Sequence, residues 1–159
     1  MSKKEIPFSG QLIKDIAETY GTPFHLYDEK GILDNVKRLQ QAFSWHPDFY
    51  EYFAVKATPN PWIMKSLHNV HVGADCSSMA ELILAEAVGL SGEEIVFSSN
   101  DTPDEEFIKA HELGAIINLD DISNLDDLER LGIIPDRICF RYNPGPDLAR
   151  GNSIIGAPE

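Results

Sequence analysis

Apolar positions along the chain fall into two alternating patterns. Short runs, apolar on both faces and rich in β-branched or aromatic residues, occur at 51–56 (EYFAVK), 70–75 (VHVGAD), 94–99 (EIVFSS), 115–119 (AIINL) and 137–142 (RICFRY). Buried parallel strands read this way. Between them, helical spacing covers 62–68, 79–88, 104–113 and 122–131. Stop and start signals agree with that division. Ser78 and Glu81 have the spacing of a capping box, and Gly89 follows the same helix. Pro103 precedes three acids and Gly114 ends that helix, while Pro61 suits the first turn of the helix after EYFAVK.

The strands start 19 to 24 residues apart, so each unit is one strand and one helix. Such a run predicts either an open doubly wound sheet or a closed (β/α)8 barrel. Neither a GxGxxG fingerprint nor a P-loop follows the first strand, which favours the barrel. A barrel takes eight strands and about 250 residues. Five βα units are used by residue 142 of a 159-residue chain, and the tail RGNSIIGAPE reads as an interrupted loop. The expected fold class is therefore α/β, the incomplete N-terminal part of a TIM barrel.

Composition narrows the partners more than the chemistry. Thirteen basic against 26 acidic residues give a net charge of −13, which argues against nucleic acid and anionic membrane surfaces. No apolar run approaches the roughly 20 residues of a membrane span, and MSKKEIPFSG is not a signal peptide, so a cytoplasmic protein is expected. Cys76 and Cys139 sit in apolar segments without CxxC or zinc spacing and read as buried free thiols. The five histidines show no ligand spacing, and no metal is expected. Trp45 and Trp62 read as core packing.

Chemistry in a barrel collects at the C-terminal ends of the strands. Those ends are Lys56, Asp75, Ser98-Ser99-Asn100, Asn118-Leu119-Asp120 and Arg141-Tyr142-Asn143, all polar after apolar runs. A lysine in an apolar barrel mouth has its charged form disfavoured by desolvation and becomes a nucleophilic amine, suited to Schiff-base formation with a carbonyl. Two enzyme classes use that chemistry: aldolases, and pyridoxal-phosphate enzymes in which the cofactor is the electron sink. Simpler roles exist for each residue. Lys56 can be a side chain meeting solvent, Asp75 an acid at a helix N-terminus, and Arg141 a bridge between acidic loops. Asp120-Asp121 and LDDLER read as a cap and a solvated helix face.

The motifs FAVKAT, GADCSSMAEL (73–82), VFSSNDTPDEEF and FRYNPGPD, with GTPFHLYD at 21–28, resemble the alanine-racemase-like, fold-type-III pyridoxal-phosphate decarboxylases, and within them the diaminopimelate decarboxylases. There the corresponding stretches are YAVKAN, GxDVxSxGEL, a GN-type loop, RVNPG and GTPLYVYD. Ser99, Thr102 and Met79-Ala80 depart from the family's usual residues. The resemblance spans about residue 20 to 159. It implies that Lys56 holds pyridoxal 5'-phosphate covalently, that Asp75 lies beside lysine and cofactor, and that Arg141 points into the barrel beneath it. It implies residues 1–28 as an N-terminal segment with an opening strand that belongs to a C-terminal β-domain, and 29–159 as a partial cofactor-binding barrel. The phosphate loop, the ring-nitrogen glutamate and the partner-supplied cysteine belong to later sequence.

The function so implied is decarboxylation of a small amino acid, meso-diaminopimelate to L-lysine and carbon dioxide, by a full-length homodimer. Ornithine, arginine or carboxynorspermidine decarboxylases, a non-catalytic pyridoxal-phosphate carrier and a Schiff-base aldolase remain open. The 159 residues alone are expected to be inactive and to self-associate through exposed sheet edges.

Overall fold

The computed structural model describes residues 6–142. The Asn-Pro-Gly stretch at 143–145 and the tail from 150 lie outside the described residues. Two helices come first, α1 (Gly10–Tyr20) and α2 (Glu29–Ala42). Then strands and helices alternate: β1 (Glu51–Ala54), α3 (Pro61–His68), β2 (Val72–Cys76), α4 (Met79–Ala87), β3 (Ile95–Ser98), α5 (Asp104–Glu112), β4 (Ile116–Leu119), α6 (Asn124–Leu131) and β5 (Ile138–Phe140). No helix among the described residues is long and apolar enough to cross a membrane.

The sheet order is β1-β2-β3-β4-β5, every neighbour parallel. This order decides between the two architectures. A doubly wound sheet reverses its strand order at a switch point, whereas a barrel wall adds strands in chain order. The five strands are a run of barrel wall.

Each strand turns one side to the helices. Ala74 and Cys76, Ile95 and Phe97, and Ile117 and Leu119 alternate along β2, β3 and β4 and are buried against Leu82, Phe107 and Leu128. The opposite, lumen side carries Asp75, Ser98 and Asn118, so the strands are less uniformly apolar than their sequence suggests. Helices α4 and α5 end as their glycines require. Gly89 and Gly114 have φ of +94° and +71°. Leu90 N–H donates to Ala85 C=O, and Ala115 N–H to Ala110 C=O, each closing a Schellman turn that leads the chain back to the sheet.

Gly73 on β2 is required by space. A Cβ there would lie 2.4 Å from the Glu94 carbonyl oxygen and 2.8 Å from the rings of Tyr50 and Tyr52.

Several expectations need correction. Trp62 is 83% and Trp45 74% exposed, so neither is core. Asn60 caps α3 and sets Pro61 at its start. Trp62 is then about 200° around the helix from buried Met64, on the outer face. Cys76 is buried, its thiol pushed by burial up to about 12, but Cys139 is exposed on the lumen side of β5.

Residues 21–28 form no strand in the structure, since a ladder needs a partner and none is adjacent. Helices α1 and α2 bury no side chain. Ser9 and Asp28 cap them. Gln40 Nε2 donates to Val70 C=O at 2.9 Å and ties α2 to the chain entering β2.

Candidate active site

Lys56, expected as the last residue of its strand, lies two residues beyond the strand's end. Strand β1 ends at Ala54, and Val55–Ala57 make a 3₁₀ turn that Thr58 N–H closes onto Val55 C=O at 3.1 Å. Val55 is fully buried and anchors the turn, while Lys56 beside it is exposed at the rim. The apolar enclosure expected around this lysine is not formed by the described residues. Among them, no hydrogen-bond or ion-pair partner of its amine is found.

Strand register places Ala54 opposite Asp75, bringing the ends of β1 and β2 together. The Asp75 carboxyl is half-buried, and burial pushes its pKa above the ordinary range. The Lys56 ammonium pulls it back down, and Glu81 pushes it up again. The two site residues therefore interact. Asp75 does not serve as a cap: Ser78 Oγ accepts from Glu81 N–H at 3.4 Å, and Glu106 Oε1 accepts from Met79 N–H at 2.7 Å. The capping box is displaced by one residue. Glu81, 9% exposed, accepts from Ser77 N–H at 2.9 Å and from both serine hydroxyls.

A carboxyl raised by burial binds its proton more tightly folded than unfolded. Its stabilising contribution is present below the unfolded value and is lost as pH rises through the raised, folded one. At neutral pH Asp75 is a net cost to the fold. Asp75→Asn is therefore expected to raise the Tm at pH 7 and to flatten the fall in stability just above the ordinary carboxylate range. Thermal melts across pH 4 to 7 check this, and a helix-capping aspartate gives the opposite sign.

A second polar group occupies the ends of β3, β4 and β5. Asn118 Nδ2 donates to Ser98 Oγ at 2.9 Å. Two residues further along each strand, Arg141 donates to Asn100 Oδ1 at 2.9 Å and pairs with the Asp120 carboxylate. The Arg141 N–H also donates to Leu119 C=O at 2.9 Å, extending the ladder past β5. Asp120 is thus no helix cap. Asp121 shapes the turn before α6, accepting from Ser123 N–H at 2.8 Å, and Ser123 itself takes the cap position without a side-chain capping bond. Period-two spacing from Asn118 to Asp120 was the sequence signal that places both on the lumen side. Arg141 stands three strands away from Asp75, and the described residues do not bring the two into contact.

An open, mostly apolar groove beside β1, about 540 Å³, is lined by Leu39, Phe53, Leu67 and Val72 on the helix side and includes none of these strand ends.

A free amine and a half-buried carboxylate share one end of a parallel barrel wall, with a held guanidinium further along it. The family described as pyridoxal-dependent decarboxylase, pyridoxal binding domain, matches residues 29–156. The chain belongs to this family. Protein TabA of Pseudomonas amygdali pv. tabaci is 40% identical over 93% of this chain and 34% of its own length. Diaminopimelate decarboxylase of Methanothermobacter thermautotrophicus is 34% identical over 82% of this chain and 31% of its own. The crystal structure of diaminopimelate decarboxylase from Helicobacter pylori complexed with L-lysine superposes with a TM-score of 0.75 at 30% identity, covering 84% of this chain and 34% of that one. The chain thus spans about a third of the length of these relatives.

The cofactor of such a pyridoxal binding domain is pyridoxal phosphate, and the residues present fit one end of it. Lys56 would offer a primary amine to its carbonyl, and Asp75, at the end of the neighbouring strand, a carboxyl.

Proposed function

We propose that the protein carrying this chain is a pyridoxal-phosphate-dependent amino-acid decarboxylase, with meso-diaminopimelate as substrate and L-lysine and carbon dioxide as products. The observation that carries the reading is the exposed Lys56 amine just past the end of β1, on the strand whose register sets Ala54 opposite Asp75, in a chain of this family. When bound, the cofactor supplies an electron sink for the pair left behind as the α-carboxylate departs. Lys56 would hold the cofactor through its amine. It stays at the rim, tethered by buried Val55, where its Nζ can carry the proton that replaces the carboxylate. Asp75 orients that amine from the neighbouring strand. Arg141, held at the lumen side, presents its charge to the anionic cofactor.

Diaminopimelate is favoured by the names of relatives at 30 to 34% identity. The family resemblance supports a cytoplasmic homodimer as the working form. Carbon dioxide release by the complete natural gene product, supplied with pyridoxal phosphate, tests the reading across diaminopimelate, ornithine, arginine and lysine. Release from diaminopimelate at least about tenfold faster than from the others is expected. Faster release from ornithine or arginine moves the substrate and keeps the reaction. Cofactor held at Lys56 with no release from any of the four contradicts the decarboxylase and favours a carrier.

A further inference from the structure

The group at the ends of β3, β4 and β5 has a built-in order. Alternating with the helix-buried residues, Ser98, Asn118 and Cys139 face the lumen, and Asn100, Asp120 and Arg141 each follow two positions on, just past the strand ends. The lower tier, Ser98 to Asn118, is closed by one hydrogen bond between side chains. In the upper tier one guanidinium spans two strands. Arg141, just past β5, reaches Asp120 just past its neighbour β4 and Asn100 beyond the end of β3, and its own backbone is pinned to Leu119. A guanidinium's planar fork loses little further freedom once two acceptors and its backbone are set.

We infer that Asp120 and Asn100 are positioning residues for Arg141, holding its guanidinium in the barrel mouth as a fixed donor toward the cofactor. This rests on the reading of the site as a pyridoxal-phosphate site. Energetics separates it from a surface ion pair. A partly exposed Arg–Asp pair contributes little to stability, commonly under about 1 kcal/mol. A residue that serves only the fold shows its effect in stability alone. A positioning residue shows it in cofactor affinity, and loses that effect once the group it positions is gone.

The test uses the complete natural gene product, with pyridoxal phosphate titrated against its absorbance and trapped by borohydride. Asp120→Ala is expected to weaken cofactor affinity about tenfold with little change in the Tm of the cofactor-free protein. Arg141→Ala is expected to weaken it by a similar factor, and the double variant by no more than Arg141→Ala alone, as for residues in one network. If Asp120→Ala does not fold, Asp120→Asn, which keeps the shape and an acceptor oxygen, gives the same comparison at a smaller factor. Affinity within twofold of the parent in the Asp120 variant, or factors that multiply in the double variant, overturns the inference while the cofactor reading stands. An unmutated protein whose Lys56 takes no label overturns both, so the two failures are told apart.

Discussion

Lys56→Ala is expected to abolish pyridoxal-dependent decarboxylation by the complete gene product while leaving the fold in place. The two halves of that expectation come from different observations. Lys56 is exposed on a turn whose anchor is its neighbour Val55, so removing its side chain leaves no cavity in the core. Substitutions at such positions usually change stability by no more than about 0.5 kcal/mol. Under the proposed function its amine is the attachment point for the cofactor, and losing a covalent catalyst costs turnover on the order of a thousandfold or more. Steady-state assays and circular dichroism on the same preparations check both halves. A variant that retains substantial turnover removes Lys56 from the mechanism. One that unfolds makes Lys56 a structural residue.

Phe97→Ala is expected to do the reverse, lowering stability severely without touching the amine. Phe97 is 1% exposed in the middle of β3 and meets Phe107 of α5 nearly edge-on, with ring centroids 6.3 Å apart at 81°. It joins sheet to helix at the centre of the core, beside Ile95 and Leu82. Truncating a buried phenylalanine costs about 3 to 5 kcal/mol through lost transfer energy and the cavity left behind. Domains commonly have only about 5 to 15 kcal/mol in total. Urea denaturation of parent and variant measures the difference. A loss under about 1 kcal/mol contradicts the packing described here.

The repeating βα units were legible because strand and helix leave different periods in the sequence, and because the turn residues agreed. Gly89, Gly114 and Pro61 sit where backbone geometry demands them. Strand order was not legible: periodicity reports which residues are buried and not which strand is the neighbour. Helices α1 and α2 do carry apolar stripes at helical spacing, Leu12, Ile16 and Tyr20 in the first and Ile32, Val36 and Leu39 in the second, yet neither buries a side chain in the structure. Trp62 misled because a large aromatic side chain carries no label of direction, and only the phase of α3 relative to Met64 puts it outside.

At the site, Lys56, Asp75 and Arg141 are legible as polar residues at strand ends, and their roles toward the cofactor come from the family resemblance and stand as proposals. The adjacency of Lys56 and Asp75 follows from the β1–β2 register, which one sequence does not state. Asp120 was misread for a similar reason. In LDD either acid can end a strand or begin a helix, and only the structure assigns Asp121 to Ser123 and Asp120 to Arg141.

The central claim is that one lysine among eight is the cofactor's. The most direct test is a peptide mass map after incubation of the complete gene product with pyridoxal phosphate and reduction with borohydride. The account requires the label to concentrate on Lys56 at cofactor concentrations that leave every other lysine unmodified, the seven others of these 159 residues included. Label spread evenly over the lysines, or concentrated on any other one, contradicts it.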